Sequence, residues 1–115
     1  MKFSCEKALL SGAISAASRT VAAKSAIPAM EGILVEAGET LRLTGYNLET
    51  GIQATVPAEI GEKGSLVLSA RLFGEIVRKM PDDVIVVTSQ DYAVFIQCGP
   101  IKYKIMGTDP GEFPE

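Results

Sequence analysis

At 115 residues, with a formal charge of −3, 22% charged and 47% hydrophobic residues, the chain has the composition of one folded domain with an aliphatic core, which excludes disordered and fibrous classes. No apolar run approaches the roughly 20 residues needed to cross a bilayer, and Met1 to Glu6 lacks the apolar centre of a signal peptide, so no membrane partner and a cytoplasmic address are expected. Histidine is absent, which removes the commonest general base, the commonest metal ligand and an ordinary serine or cysteine triad; neither an enzyme nor a resident cofactor or metal is expected.

Lys2 to Cys5 alternates Phe3 and Cys5 against Lys2 and Ser4, a short strand leading straight into a helix from Glu6 to about Ser18. Leu9, Leu10, Ala13, Ile14 and Ala17 form the inward side of that helix, and Lys7, Ser11, Ser15 and Arg19 recur every four residues on the other. A loop through Lys24 and Ser25 follows, with Ile27 to Met30 extended. The period then changes to two, giving strands at Gly32–Val35, Thr40–Thr44 and Ile52–Val56, joined by turns at Glu36–Glu39 and Tyr46–Gly51.

Ala58 to Gly64 reads as a polar connection, and its Gly61-Glu62-Lys63-Gly64-Ser65 is a turn: the lysine precedes the second glycine and a strand follows, so it is no phosphate loop. Ser65–Leu68 is again a strand running into a helix, capped by Ser69 at its start and stopped by Pro81 after its end. Here Leu72, Phe73, Ile76, Val77 and Met80 make the apolar stripe, and Arg71, Glu75, Arg78 and Lys79 look outward. Three strands close the chain, Val84–Thr88, Tyr92–Gln97 and Ile101–Met106, with turns at Ser89–Asp91 and Gly99-Pro100. Cys5 and Cys98 could form one disulfide on paper; with nothing else pointing to an oxidising compartment, free, half-buried thiols are the expected state.

The element order, strand, helix, three strands, occurs twice, as a duplication of architecture without residue identity at one offset. Two such units can join edge to edge or lay both helices on one side of a continuous sheet, an α+β arrangement. Along the two helices and the turn after the first, Lys7, Arg19, Lys24, Arg71, Arg78 and Lys79 face only Glu6 and Glu75, so one surface is basic on an otherwise acidic chain.

A basic-faced helix is ordinarily just a solvated surface. Two of them in matching halves fit contact with a phosphate backbone, and neither carries the Asn, Gln or aromatic clusters that read bases, so sliding on duplex DNA fits better than site recognition. Neutralising roughly three phosphates gives a weak, salt-sensitive affinity, on the order of 10⁻⁴ M, so retention needs several domains or a closed ring. The alternative is a self-contained protein-interaction module that oligomerises through its last strand, where Ile101 to Met106 alternates apolar residues with Lys102 and Lys104, and that never meets nucleic acid.

Met1-Lys2-Phe3-Ser4, Glu6-Lys7-Ala8-Leu9-Leu10, Ile27-Pro28, the run Leu41-Arg42-Leu43-Thr44-Gly45-Tyr46-Asn47-Leu48-Glu49, Ser69-Ala70-Arg71-Leu72-Phe73 and Glu112-Phe113-Pro114 together resemble the first domain of bacterial beta sliding clamps, the beta subunit of DNA polymerase III. The resemblance covers essentially the whole chain, with Asn47 where the family more often has Asp. It implies a DNA-clamp fold with two helices on the inner side of the sheet, in a homodimeric, non-catalytic processivity factor for DNA replication. Three domains per subunit and two subunits head to tail would make a ring around duplex DNA. It implies that residues 1–115 are the first domain, with the second and third absent from this chain and the polymerase and clamp-loader contacts lying there. By position, Lys24 and Arg71 match DNA-touching residues, with Arg78, Lys79, Lys7 and Arg19 as channel-facing neighbours. Ile76 and the strand residues Lys102, Tyr103, Lys104 and Ile105 match the side that meets the other subunit.

Overall fold

Alternation at Phe3 and Cys5 builds β1 (Lys2–Glu6), with both side chains buried, and the change to helical spacing at Lys7 starts α1 (Lys7–Ser18). The computed structural model describes residues 1–21, 31–47 and 50–113; the expected loop at Lys24 and the extended Ile27 to Met30 lie outside them. The meander follows as β2 (Gly32–Ala37), β3 (Leu41–Tyr46) and β4 (Gly51–Val56). Between β3 and β4, Asn47 Oδ1 accepts from the Thr50 amide at 2.7 Å, a bond that a carboxylate oxygen could equally make.

The stretch read as a polar connection contains a strand, β5 (Glu59–Glu62), paired with β1 at Phe3↔Ile60 and Ser4↔Glu59. Its sequence hides it: Ile60 is its one large apolar side chain, as suits an edge strand with one residue to pack. The turn expected over Gly61–Ser65 shrinks accordingly to Lys63, between β5 and β6 (Gly64–Ser69). α2 (Ala70–Lys79), β7 (Val84–Gln90), β8 (Ala93–Cys98) and β9 (Ile101–Met106) complete the second unit, followed by a 3-10 turn at Pro110–Glu112. The β7–β8 turn lies at Asp91-Tyr92, later than expected, with Asp91 at φ 55° and Gln90 paired to Ala93. Gly99 takes φ 58° ahead of Pro100, as a hairpin turn with its positive φ first requires.

The duplicated units interlock. Hydrogen bonding divides the expected continuous sheet into two antiparallel ones, β5-β1-β7-β8-β9 and β4-β3-β2-β6. The opening strand of each unit pairs with the meander of the other, β1 with β7 and β6 with β2, so each helix carries the chain from one sheet to the next. A bridge between Val67 and Thr108 ties the two sheets just beyond β9. One core unites them, centred on Phe3, Leu10, Ile33, Leu43, Leu68, Phe73, Ile85 and Ile96, all fully buried.

Two inward assignments fail: Leu9 is 43% exposed and Leu72 37%, because each sits at the margin of its helix's apolar stripe. Cys5 and Cys98 are free, as expected, but fully buried and not half-buried. Burial pushes the Cys5 thiol above its ordinary value, and the charge of neighbouring Glu6 adds to this.

Candidate nucleic-acid interface

Ser69 Oγ accepts from the Leu72 amide at 3.2 Å, which satisfies one open donor at the start of α2 and fixes where the helix begins. Arg71 and Arg78, two turns apart, then project from the same side. Between them Gly74 faces α1 and the Arg78 side chain: a Cβ there would stand in ordinary contact with Ile14 Cγ2 at 3.5 Å and 3.2 Å from Arg78 Nη1. The helices run in opposite directions, since Lys7 at the start of α1 reaches the end of α2.

Between the helices lies an open groove of about 480 Å³. Ser11, Ser15, Ser18 and Arg19 line it from the first unit, and Ser69, Arg71, Gly74 and Arg78 from the second. Three guanidinium groups from both halves thus share one wall with neutral hydroxyls, a surface suited to phosphate oxygens through forked N–H donors. Two carboxylates temper it. Glu31 lines the groove, and Glu75 pairs with Arg71 at 3.5 Å, with the two side chains 40% and 71% exposed. A pair so open to water is worth little, so a phosphate can displace the carboxylate at small cost.

The six expected cationic positions separate in space. Arg19, Arg71 and Arg78 come together, while Lys24 lies outside the described residues. Lys79 is exposed but does not line the groove, because one residue past Arg78 turns it about 100° around the helix. Lys7 is also absent from the groove: its ammonium donates to the carbonyls of Met80 at 2.6 Å and Arg78 at 3.1 Å. The spacing of four that grouped it with Arg19 accumulates a drift of roughly 120° over three steps, which takes it off that face.

Among the described residues β9 has one strand neighbour, β8, and stands at the edge of its sheet. Ile101, Tyr103 and Ile105 face the same side as buried Cys98, Ile96 and Val94, yet Ile101 and Tyr103 are each 38% exposed. Lys102 and Lys104 take the opposite face, Lys102 with its ammonium 4.8 Å from the Phe95 ring centre. Ile76, assigned to the same surface, is only 7% exposed, whereas Leu72, one turn earlier on α2, is 37% exposed. Among the described residues no group of three His, Cys, Asp or Glu could hold a metal ion, and no helix is long and apolar enough to cross a membrane.

A family model described as the DNA polymerase III beta subunit, N-terminal domain, matches residues 1–115. The beta sliding clamp of Bacillus subtilis is 31% identical over 124 residues, covering 99% of this chain and 33% of that protein. The beta sliding clamp of Synechococcus elongatus is 30% identical, covering 100% and 32%. Among solved structures, the B. subtilis DNA polymerase sliding clamp superposes with a TM-score of 0.96 at 29% identity, over 100% of this chain and 33% of that one. The DNA polymerase III beta subunit of Thermotoga maritima gives 0.92 at 29%, over 99% and 32%. The chain therefore spans about a third of the length of the relatives it matches.

Proposed function

The chain belongs to the DNA polymerase III beta subunit family, matched over the N-terminal domain, and from this we propose that it serves as the first domain of a ring-shaped, non-catalytic processivity factor that encircles duplex DNA and slides along it. One observation carries the proposal: Arg19 from the first unit and Arg71 and Arg78 from the second line a single groove. The duplication supplies a basic residue from each half, and the interlocked strands hold both helices against one core. Contacts to phosphate alone give a grip that is indifferent to sequence and loosened by salt, which is what a mobile tether requires.

In this reading Arg71 and Lys24 touch phosphates, with Arg19 and Arg78 beside them. A second subunit meets the β9 edge head to tail through Tyr103, Ile105 and the apolar margin of α2, and Lys102 and Lys104 flank that contact. Polymerase and clamp loader engage two further domains that follow residue 115. An interaction module that never meets DNA would use the same β9 edge, but it leaves the gathering of arginines from both halves without a purpose.

The test is retention of the full-length parent on circular against linear duplex. A ring is retained on circles and lost from open ends; equal retention on both forms would overturn encirclement.

A further inference from the structure

We propose that Lys7 is a positioning residue for the groove: it fastens the last turn of α2 to the first turn of α1, and so sets where Arg71 and Arg78 stand relative to Arg19, without itself touching phosphate. The inference rests on the duplex-binding reading above.

The last carbonyls of a helix have no intrahelical partner and carry the negative end of its dipole. At the end of α2 the ammonium of Lys7 takes up this role, donating to Met80 O at 2.6 Å and Arg78 O at 3.1 Å. The backbone of Lys7 is held as well, its amide donating to Asp83 O at 3.1 Å. One residue at the start of the first unit's helix thus grips two carbonyls at the end of the second's, and its own amide is held by the turn that leads into β7. Its side chain lies outside the groove, with two of the ammonium's three donors spent on these carbonyls, so its position is set by the end of α2 and not by the groove.

Arg78 shows what the grip accomplishes. Its carbonyl is held by Lys7 while its guanidinium lines the groove beside Gly74. Displacing the end of α2 would move that guanidinium directly and Arg71, two turns earlier on the same rigid helix, with it. The other end of α2 follows directly on β6, whose last residue Ser69 pairs with Gly32 of β2, so the helix carrying both arginines is anchored at each terminus.

Binding of the 115-residue chain to a fluorescent duplex oligonucleotide, followed by anisotropy over a series of low salt concentrations, tests this. Lys7→Met should weaken binding several-fold at every salt while leaving the slope of log affinity against log salt unchanged. Lys7→Arg, which can reach the same carbonyls, should restore most of the loss, and Arg71→Gln should lower the slope by about 0.9. If Lys7→Met melts too low to assay, Lys7→Gln is read in its place. A slope reduced as in Arg71→Gln would make Lys7 a phosphate contact and overturn the proposal, as would wild-type affinity in a folded Lys7→Met chain. Absence of salt-sensitive binding by the wild-type chain would instead overturn the duplex reading, and with it the purpose assigned to the grip. Amide exchange across the end of α2 separates these cases, because it reports the grip without DNA.

Discussion

A methyl group at Gly45 would place its carbon 1.9 Å from the carbonyl oxygen of Ala17, so the last turn of α1 rests on the bare backbone of β3. Thr20 Oγ1 donates to the same carbonyl at 3.3 Å and would lie 2.9 Å from the added carbon. The seat is backbone against backbone, where neither side can rotate away. Gly45→Ala should therefore destabilise the fold by about 3 kcal/mol or more, read as a lower midpoint in chemical denaturation, and should shift the amides of Ala17 and Thr20 first. A loss below about 1 kcal/mol would show that the helix can lift off the sheet.

Gly12 is the converse case. It lies inside α1, is exposed, and a Cβ there meets nothing within 4 Å among the described residues. Alanine removes the conformational freedom that glycine brings to the unfolded chain, so Gly12→Ala should stabilise by about 0.5 to 1 kcal/mol and raise the thermal midpoint by a few degrees.

These two glycines show where the sequence was legible. Periodicity located both helices and eight of the nine strands among the described residues, because each carries several apolar side chains at one spacing. It could not find β5, whose partner β1 is distant in sequence and whose inward content is Ile60. Nor could it foresee that β1 and β6 exchange sheets, since alternation reports which face is buried and not which strand lies alongside. At the groove, Arg71 and Arg78 were readable from two-turn spacing on one helix. Lys7 was misplaced because the carbonyls that capture it belong to residues more than seventy positions away.

Buried Cys5 makes alkaline stability a readable quantity. Its thiol donates to Pro57 O at 3.5 Å, while a thiolate there would lose solvation and face Glu6. The folded-state pKa lies above the ordinary 9.0, so folding favours the protonated form. The stability this contributes is fully present below the unfolded value and is lost as pH rises through the folded one. Wild-type unfolding free energy should accordingly fall, relative to Cys5→Ala, only as pH climbs past about 9, and the difference should be flat near neutrality. A difference that grows toward acid would contradict burial as the cause.

Tyr103 should separate folding from assembly. Its ring lies on the core side of β9 but is 38% exposed, so replacing it costs less internal packing than removing a fully buried ring. In the head-to-tail assembly proposed above, Tyr103→Asp in the full-length parent should weaken subunit association strongly, by placing an unpaired charge in an apolar contact, and should lower the thermal midpoint of the 115-residue chain less than a substitution at fully buried Ile96 beside it. Sedimentation of the parent and calorimetry of the chain give the two readouts.

Arg71 and Glu75 form the pair on which groove affinity can be tuned. At 3.5 Å and largely in water, their attraction is worth no more than about 1 kcal/mol, so the carboxylate acts chiefly as a competitor for the guanidinium that a phosphate would engage. Glu75→Gln should strengthen duplex binding by up to about fivefold at low salt, with the gain shrinking as ionic strength rises. Arg71→Gln and Arg78→Gln should each weaken binding equally across duplex sequences and lower the salt slope by about 0.9. A loss that depends strongly on base sequence would mean that these side chains read base edges, against their placement on a groove of guanidinium groups and hydroxyls.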